Sequence, residues 1–120
     1  MKDDGRQIKR KVDEMNFNQA NIIRSFKALA VEFDVSMPVV FFDTKTSNTR
    51  LAEYDPNTSE IRFFNVDDID TAFHEFAHHL VNERCQDEYH HHGVNFKEAF
   101  EAIKESKEAN VYKDRYFRWQ

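Results

Sequence analysis

Five residues carry the chemistry this chain can be read for: His74-Glu75-Phe76-Ala77-His78, a His-Glu-x-x-His pattern inside the run DTAFHEFAHHLVN from Asp70 to Asn82. On a helix, residues four apart sit one turn apart on one face, about 5–6 Å between Cβ atoms. Two imidazoles at that spacing suit one tetrahedral Zn²⁺, at about 2.0–2.1 Å per bond. Glu75 projects beside them without having to be a ligand, which is the placement that metal-assisted attack by water requires. Random placement of the chain's 6 His and 11 Glu would produce the pattern roughly 3% of the time, so its surroundings decide its meaning. Asp67, Asp68 and Asp70 offer a helix cap and charge that suits the positive end of the helix dipole. Phe73, Ala77 and Leu80, joined by Phe76, form an apolar stripe at helical spacing. A surface helix with incidental histidines would not need that stripe.

A catalytic zinc commonly takes three protein ligands and leaves a fourth position open. His90, His91 and His92 are the next candidates, followed by Gly93-Val94-Asn95-Phe96. The 14 residues from His78 to His92 let the chain turn back, and His92 opens the last predicted helix, a more fixed place than a loop. Glu98, on that same helix and 20 residues after His78, competes with it, at a separation similar to that in thermolysin-like gluzincins. His79 points about 100° around the helix from His78 and reads as a partly exposed histidine or a group supporting a ligand. A metzincin reading fails, because Val81 stands where that pattern needs Gly and Arg84 where it needs His.

HEFAHHL followed at this distance by HGVNF resembles the SprT-like zinc metalloproteases, whose pattern is HExxH, a loop, then H-G-x-x-F opening a helix. The resemblance spans roughly residues 16–104. It implies that His74, His78 and His92 bind Zn²⁺, that Glu75 is the catalytic base, and that the chain is a zinc metallopeptidase. Gly93 and Phe96 fit that pattern and favour His92 over Glu98. Many members carry a cysteine zinc ribbon or DNA-binding parts. With one cysteine, this chain looks like a minimal catalytic domain.

The elements that must position these residues follow from the rest of the chain. Residues 1–15, with Ile8, Val12 and Met15, read as a frayed helical extension or an arm. Asn16 or Asn18 caps a packing helix whose stripe is Ile22, Phe26, Leu29 and Phe33, ending near Asp34. Pro38 introduces a strand at Val39-Val40-Phe41-Phe42. Strands from Thr49 to Tyr54 and from Glu60 to Val66, joined by Asp55-Pro56-Asn57-Thr58, form a hairpin leading into the motif helix. Asn82 to His91 is a polar connection. The last helix begins near Gly93 or Val94, with Phe96, Ala99 or Phe100, and Ile103 as its stripe. The expected fold is α+β and, by the resemblance, zincin-like: a packing helix, a sheet of three or four strands, the motif helix and a ligand-bearing helix. Residues 16–110 form the domain, and 111–120 an aromatic and basic tail.

Composition bounds the function. At 120 residues, 40% hydrophobic and with 12 Phe, the chain holds one modest core. With 2 Gly and 2 Pro it has no low-complexity linker. Its net charge of −5 opposes nucleic acid as the main partner. Residues 43–88 hold 4 basic and 11 acidic residues, a field that favours a divalent cation. The one cysteine, Cys85, excludes an internal disulfide and reads as a plain helix-end thiol. No signal-type apolar run and no 18-residue apolar span is present, so a soluble, intracellular, cytoplasmic protein is expected.

The expected substrate is an extended or unfolded protein or peptide. The strand Glu60 to Val66 resembles the zincin edge strand that pairs with it. Tyr89, Tyr112 and Tyr116 are candidate oxyanion donors. The rival readings are a zincin-fold binding protein with structural zinc, docking a partner through residues 111–119; a gluzincin-type peptidase using Glu98; and nucleic-acid association through Lys9-Arg10-Lys11 and the tail. The tail from Tyr112 to Trp119 is also a candidate cover for the cleft.

Overall fold

Apolar residues spaced 4, 3 and 4 apart from Ile22 to Phe33 wind into a helix, and in the computed structural model that helix runs back to Lys2 (α1, Lys2–Phe33). The structure describes the backbone of residues 2–85 and 92–112 and the side chains of residues 18–84 and 92–111. Tyr89, His90, His91, Tyr116 and the tail beyond Tyr112 lie outside the described residues, as do the side chains of Lys9, Arg10, Lys11, Cys85 and Tyr112. The backbone is helical on both sides of residue 16, the helical alternative of the two expected for the preceding residues. The preceding residues are mostly good helix formers with no proline among them, so nothing local ends the helix there. It stops where expected, at Asp34, which adopts φ 55°. Val35 N–H then donates to the Ala30 carbonyl at 3.0 Å, a Schellman-type closure.

After Pro38 the chain forms β1 (Val39–Asp43), then β2 (Ala52–Asp55) and β3 (Glu60–Phe64). The hairpin expected at Asp55-Pro56-Asn57-Thr58 is present. Asn57 N–H donates to Asp55 Oδ1 at 2.9 Å, and Ser59 takes φ 57° to turn the chain. β2 and β3 pair antiparallel, with Tyr54 opposite Ile61. β1 joins the other side of β3 in parallel, with Val40 opposite Ile61, so the order is β1-β3-β2. This corrects the expectation for the last strand. β3 is the centre of the sheet, with both edges paired, and cannot receive a substrate strand; among the described residues, β2 is an edge. Proximity in sequence to the motif helix pointed to β3, but pairing with β1 fills its second edge.

The helices that follow are α2 (Ile69–Cys85), α3 (Val94–Lys104) and α4 (Lys107–Tyr112). The described residues thus form an α+β fold of four helices and a three-stranded mixed sheet. α4 was not expected. Its start is set by Ser106, whose Oγ accepts the Ala109 N–H at 3.1 Å, and Glu108 Oε1 accepts the Ser25 hydroxyl of α1 at 2.8 Å.

The core lies where α2 is enclosed. Ile22, Phe26 and Leu29 of α1, Ile61 and Phe63 of β3, and Phe76 and Leu80 of α2 are all buried. Phe26 meets Phe76 at 5.2 Å between ring centroids. Phe96 and Ile103 of α3 close the other side. From Ala72 to Val81 every residue but His74 is buried, so α2 is the central helix of the fold, not a helix with one covered face. Among the described residues, no helix is long and apolar enough to cross a membrane.

Candidate metal centre

The cap of α2 fixes where the histidines fall on the helix. Asp68 Oδ2 accepts the Thr71 N–H at 2.9 Å and the Thr71 hydroxyl at 2.8 Å. An aspartate in that role is worth about 1 kcal/mol of helix stability. His74 and His78 then stand one turn apart, their ring centroids 5.1 Å from each other. α3 is oriented by its own stripe, Phe96 and Ile103 turned into the core, which leaves His92, just before its first turn, facing α2. His92 lies 5.1 Å from His74 and 4.9 Å from His78, ring to ring.

The three rings therefore form a nearly equilateral triangle, and their ligand atoms all lie within 4.8 Å of one another, close enough to hold a metal ion. The Nε2 atoms of His78 and His92 are 3.1 Å apart. Tetrahedral bonds of about 2.0–2.1 Å put two ligand nitrogens about 3.3 Å apart, so an ion fits between them with little movement. Without an ion, the same approach requires that one ring carry a proton on that nitrogen. Burial, and then the charge of His92, lower the pKa of His74. That favours the neutral imidazole, the form that ligates metals.

Glu75 sits in the same cleft, of about 390 Å³, with His74, His78, His92 and β2's Ala52, Glu53 and Tyr54. It is 6% exposed. Burial pushes its carboxyl up to about 7, with the charge of Glu53 adding and that of Arg50 offsetting. Arg50 and Glu53 pair at 3.0 Å at the cleft margin. A second cleft of about 420 Å³ adjoins the first, sharing Ala52, His74 and Glu75 and bounded by Leu51, Thr71 and Phe100. The edge strand β2 thus borders a groove that passes the histidines and the carboxyl group. Glu98 is not part of this group. It faces a separate cleft with Leu80, Val81 and Arg84.

His79 differs from expectation. It is 0% exposed, because the side of α2 that should have met solvent meets β2 and the segment before β1. Its Nε2–H donates to the Ser36 carbonyl at 2.7 Å, since a carbonyl can only accept. Its Nδ1 therefore accepts from the Tyr54 hydroxyl at 2.9 Å. That hydroxyl in turn accepts from Asn82 Nδ2 at 2.9 Å, and Asn82 also donates to the Pro56 carbonyl at 3.2 Å. Burial lowers the pKa of His79, against the Ser36 bond and the charge of Glu83, so the neutral ring is favoured. The network ties the edge strand and its turn to the helix that carries His74 and His78. Tyr54, Arg50 and Glu53 escaped the sequence reading; the only trace of Tyr54's role was its place in a strand preceding a helix with two adjacent histidines.

The chain matches no protein-family model, no curated protein and no solved structure.

Proposed function

We propose that the chain is a zinc-dependent metallopeptidase of SprT-like type, with His74, His78 and His92 holding the ion and Glu75 acting as base. The observation that carries this reading is the convergence of three imidazoles beside a buried carboxyl group in a cleft under an edge strand. Three imidazoles suit zinc among the available first-row metals, and a fourth position stays open for chemistry. Bound there, Zn²⁺ supplies Lewis acidity, acidifying water and polarising a carbonyl group.

The chain's own residues account for the remaining steps. Among the described residues β2 has an unpaired strand edge along the groove, so an extended peptide can add to the sheet by main-chain hydrogen bonds with little sequence selectivity. Glu75 takes a proton as the oxygen of water bonds to the peptide carbonyl carbon. The carbon–nitrogen bond then breaks, and Glu75 returns the proton to the departing amine. A carboxyl group held in the cleft beside the three imidazoles can serve both halves of that exchange. The Tyr54 hydroxyl is committed to His79 and Asn82, so it anchors the strand and does not serve as the oxyanion donor.

Glu75→Gln tests the assignment. The variant should keep one zinc per chain and lose cleavage of an unfolded protein such as reduced casein. Wild-type turnover in zinc-loaded Glu75→Gln would remove Glu75 as the base.

A further inference from the structure

One ring lies against all three histidines. The centroid of Phe96 is 4.5 Å from that of His78, 4.7 Å from His92 and 4.9 Å from His74. Phe96 is 5% exposed and follows His92 by one helical turn, so α3 brings both the third imidazole and the surface behind it. The contacts with His74 and His92 are edge-to-face, with interplanar angles of 61° and 67°, the geometry in which a ring edge meets a π face. Phe100, one turn further on, extends the surface, 5.7 Å from both Phe96 and His74.

A histidine ring turns easily about its outer side-chain torsion, and a tripod of imidazoles is useful only when all three rings are fixed. Metal-ligating histidines are usually fixed by a hydrogen bond from the ring nitrogen that faces away from the metal. Among the described residues, His74 has ring contacts and no hydrogen bond. Something apolar therefore sets its plane, and Phe96 is the side chain that meets it and both its partners.

We propose that Phe96 is a positioning residue for the metal tripod, a single aromatic floor that sets the planes of His74, His78 and His92. The inference rests on the reading that this tripod binds a metal. It assigns Phe96 a role beyond filling the core. The ring excludes water from behind the ligands and holds the nitrogens converged before an ion arrives, so less ordering is left for binding to supply.

Phe96→Leu in the full chain tests this, with Phe26→Leu as the matched control. Phe26 is 0% exposed and packs on Phe76 at 5.2 Å, away from the tripod. Both variants lose a buried ring and so destabilise the fold, but only the first should loosen the site. Zinc affinity, by chelator competition, should fall about 10–100-fold in Phe96→Leu, as when the partners that orient metal ligands are removed. It should stay within about twofold of wild type in Phe26→Leu. Cobalt-loaded Phe96→Leu should show a weakened and broadened d–d band, and Phe26→Leu the wild-type band.

A second readout needs no variant to fold and no metal. In the metal-free wild type, the carbon-bound ring protons of His74, His78 and His92 should all carry ring-current shifts from Phe96. Ordinary shifts at these protons would overturn the proposal, as would equal affinity losses in the two variants or an unchanged affinity in Phe96→Leu. If the wild type takes up no metal at all, the tripod reading fails first and this inference fails with it. If the wild type loads normally, a negative result removes only the role of Phe96.

Discussion

Replacing Glu75 by Gln should change how the stability of the metal-free protein depends on pH. Buried at 6% exposure, the Glu75 carboxyl titrates near 7 in the folded chain, against 4.5 when unperturbed. The folded state thus holds this proton more tightly than the unfolded state. The resulting stabilisation is fully present below pH 4.5 and is lost as pH rises through 7. At 1.36 kcal/mol per pH unit, the loss is about 3 kcal/mol, a large part of the 5–15 kcal/mol typical of a whole domain. Glutamine resembles the protonated acid and does not titrate. The two proteins should therefore be close in stability at pH 4.5, and Glu75→Gln should be more stable by about 3 kcal/mol at pH 8. His74 and His79, whose pKa values are lowered by burial, destabilise the fold below about pH 6.5 in both proteins, so the difference between the proteins isolates Glu75. Urea unfolding in EDTA at pH intervals from 4.5 to 8 measures it. Parallel curves for the two proteins would mean that the folded state does not hold the Glu75 proton more tightly than the unfolded state.

Two further outcomes follow from the geometry. His92→Ala should abolish stoichiometric zinc uptake, while Glu98→Ala, altered in a different cleft, should leave it unchanged; elemental analysis after gel filtration separates them, and the reverse pattern would move the third ligand to Glu98. Tyr54→Phe should cost about 1–3 kcal/mol, because the buried Nδ1 of His79 loses its donor, while zinc content stays at the wild-type level. An unchanged urea midpoint would mean that the Tyr54–His79–Asn82 network does not hold the edge strand to α2.

The histidine set was legible from the sequence because its logic is largely local. His74 and His78 are brought together by one turn of helix, and His92 was marked by its place at the head of the next helix. Glu98, on that same helix, could be set aside only once α3 was seen to turn it into another cleft. The sheet order was not legible, because which edge of β3 stays free depends on where β1 pairs, a contact between residues about 20 apart in sequence. The burial of His79 was hidden for a related reason. A stripe of apolar residues reports one covered face, but α2 is covered on nearly all sides, and only the assembled fold places Tyr54 and the Ser36 carbonyl against the opposite face. The helix boundaries show the weaker signals. Asp34 and Gly93 mark their ends through backbone geometry that composition hints at, whereas α4 spans six residues, too few to leave a periodic pattern.

X-ray absorption at the zinc edge, on protein loaded with one equivalent and freed of excess, reads the ligand set of the bound ion itself. The spectrum should show a four-coordinate site with three imidazole nitrogens and one oxygen donor at about 2.0–2.1 Å. Failure to retain a stoichiometric ion, or a wild-type spectrum with fewer than three imidazoles, would contradict that ligand set.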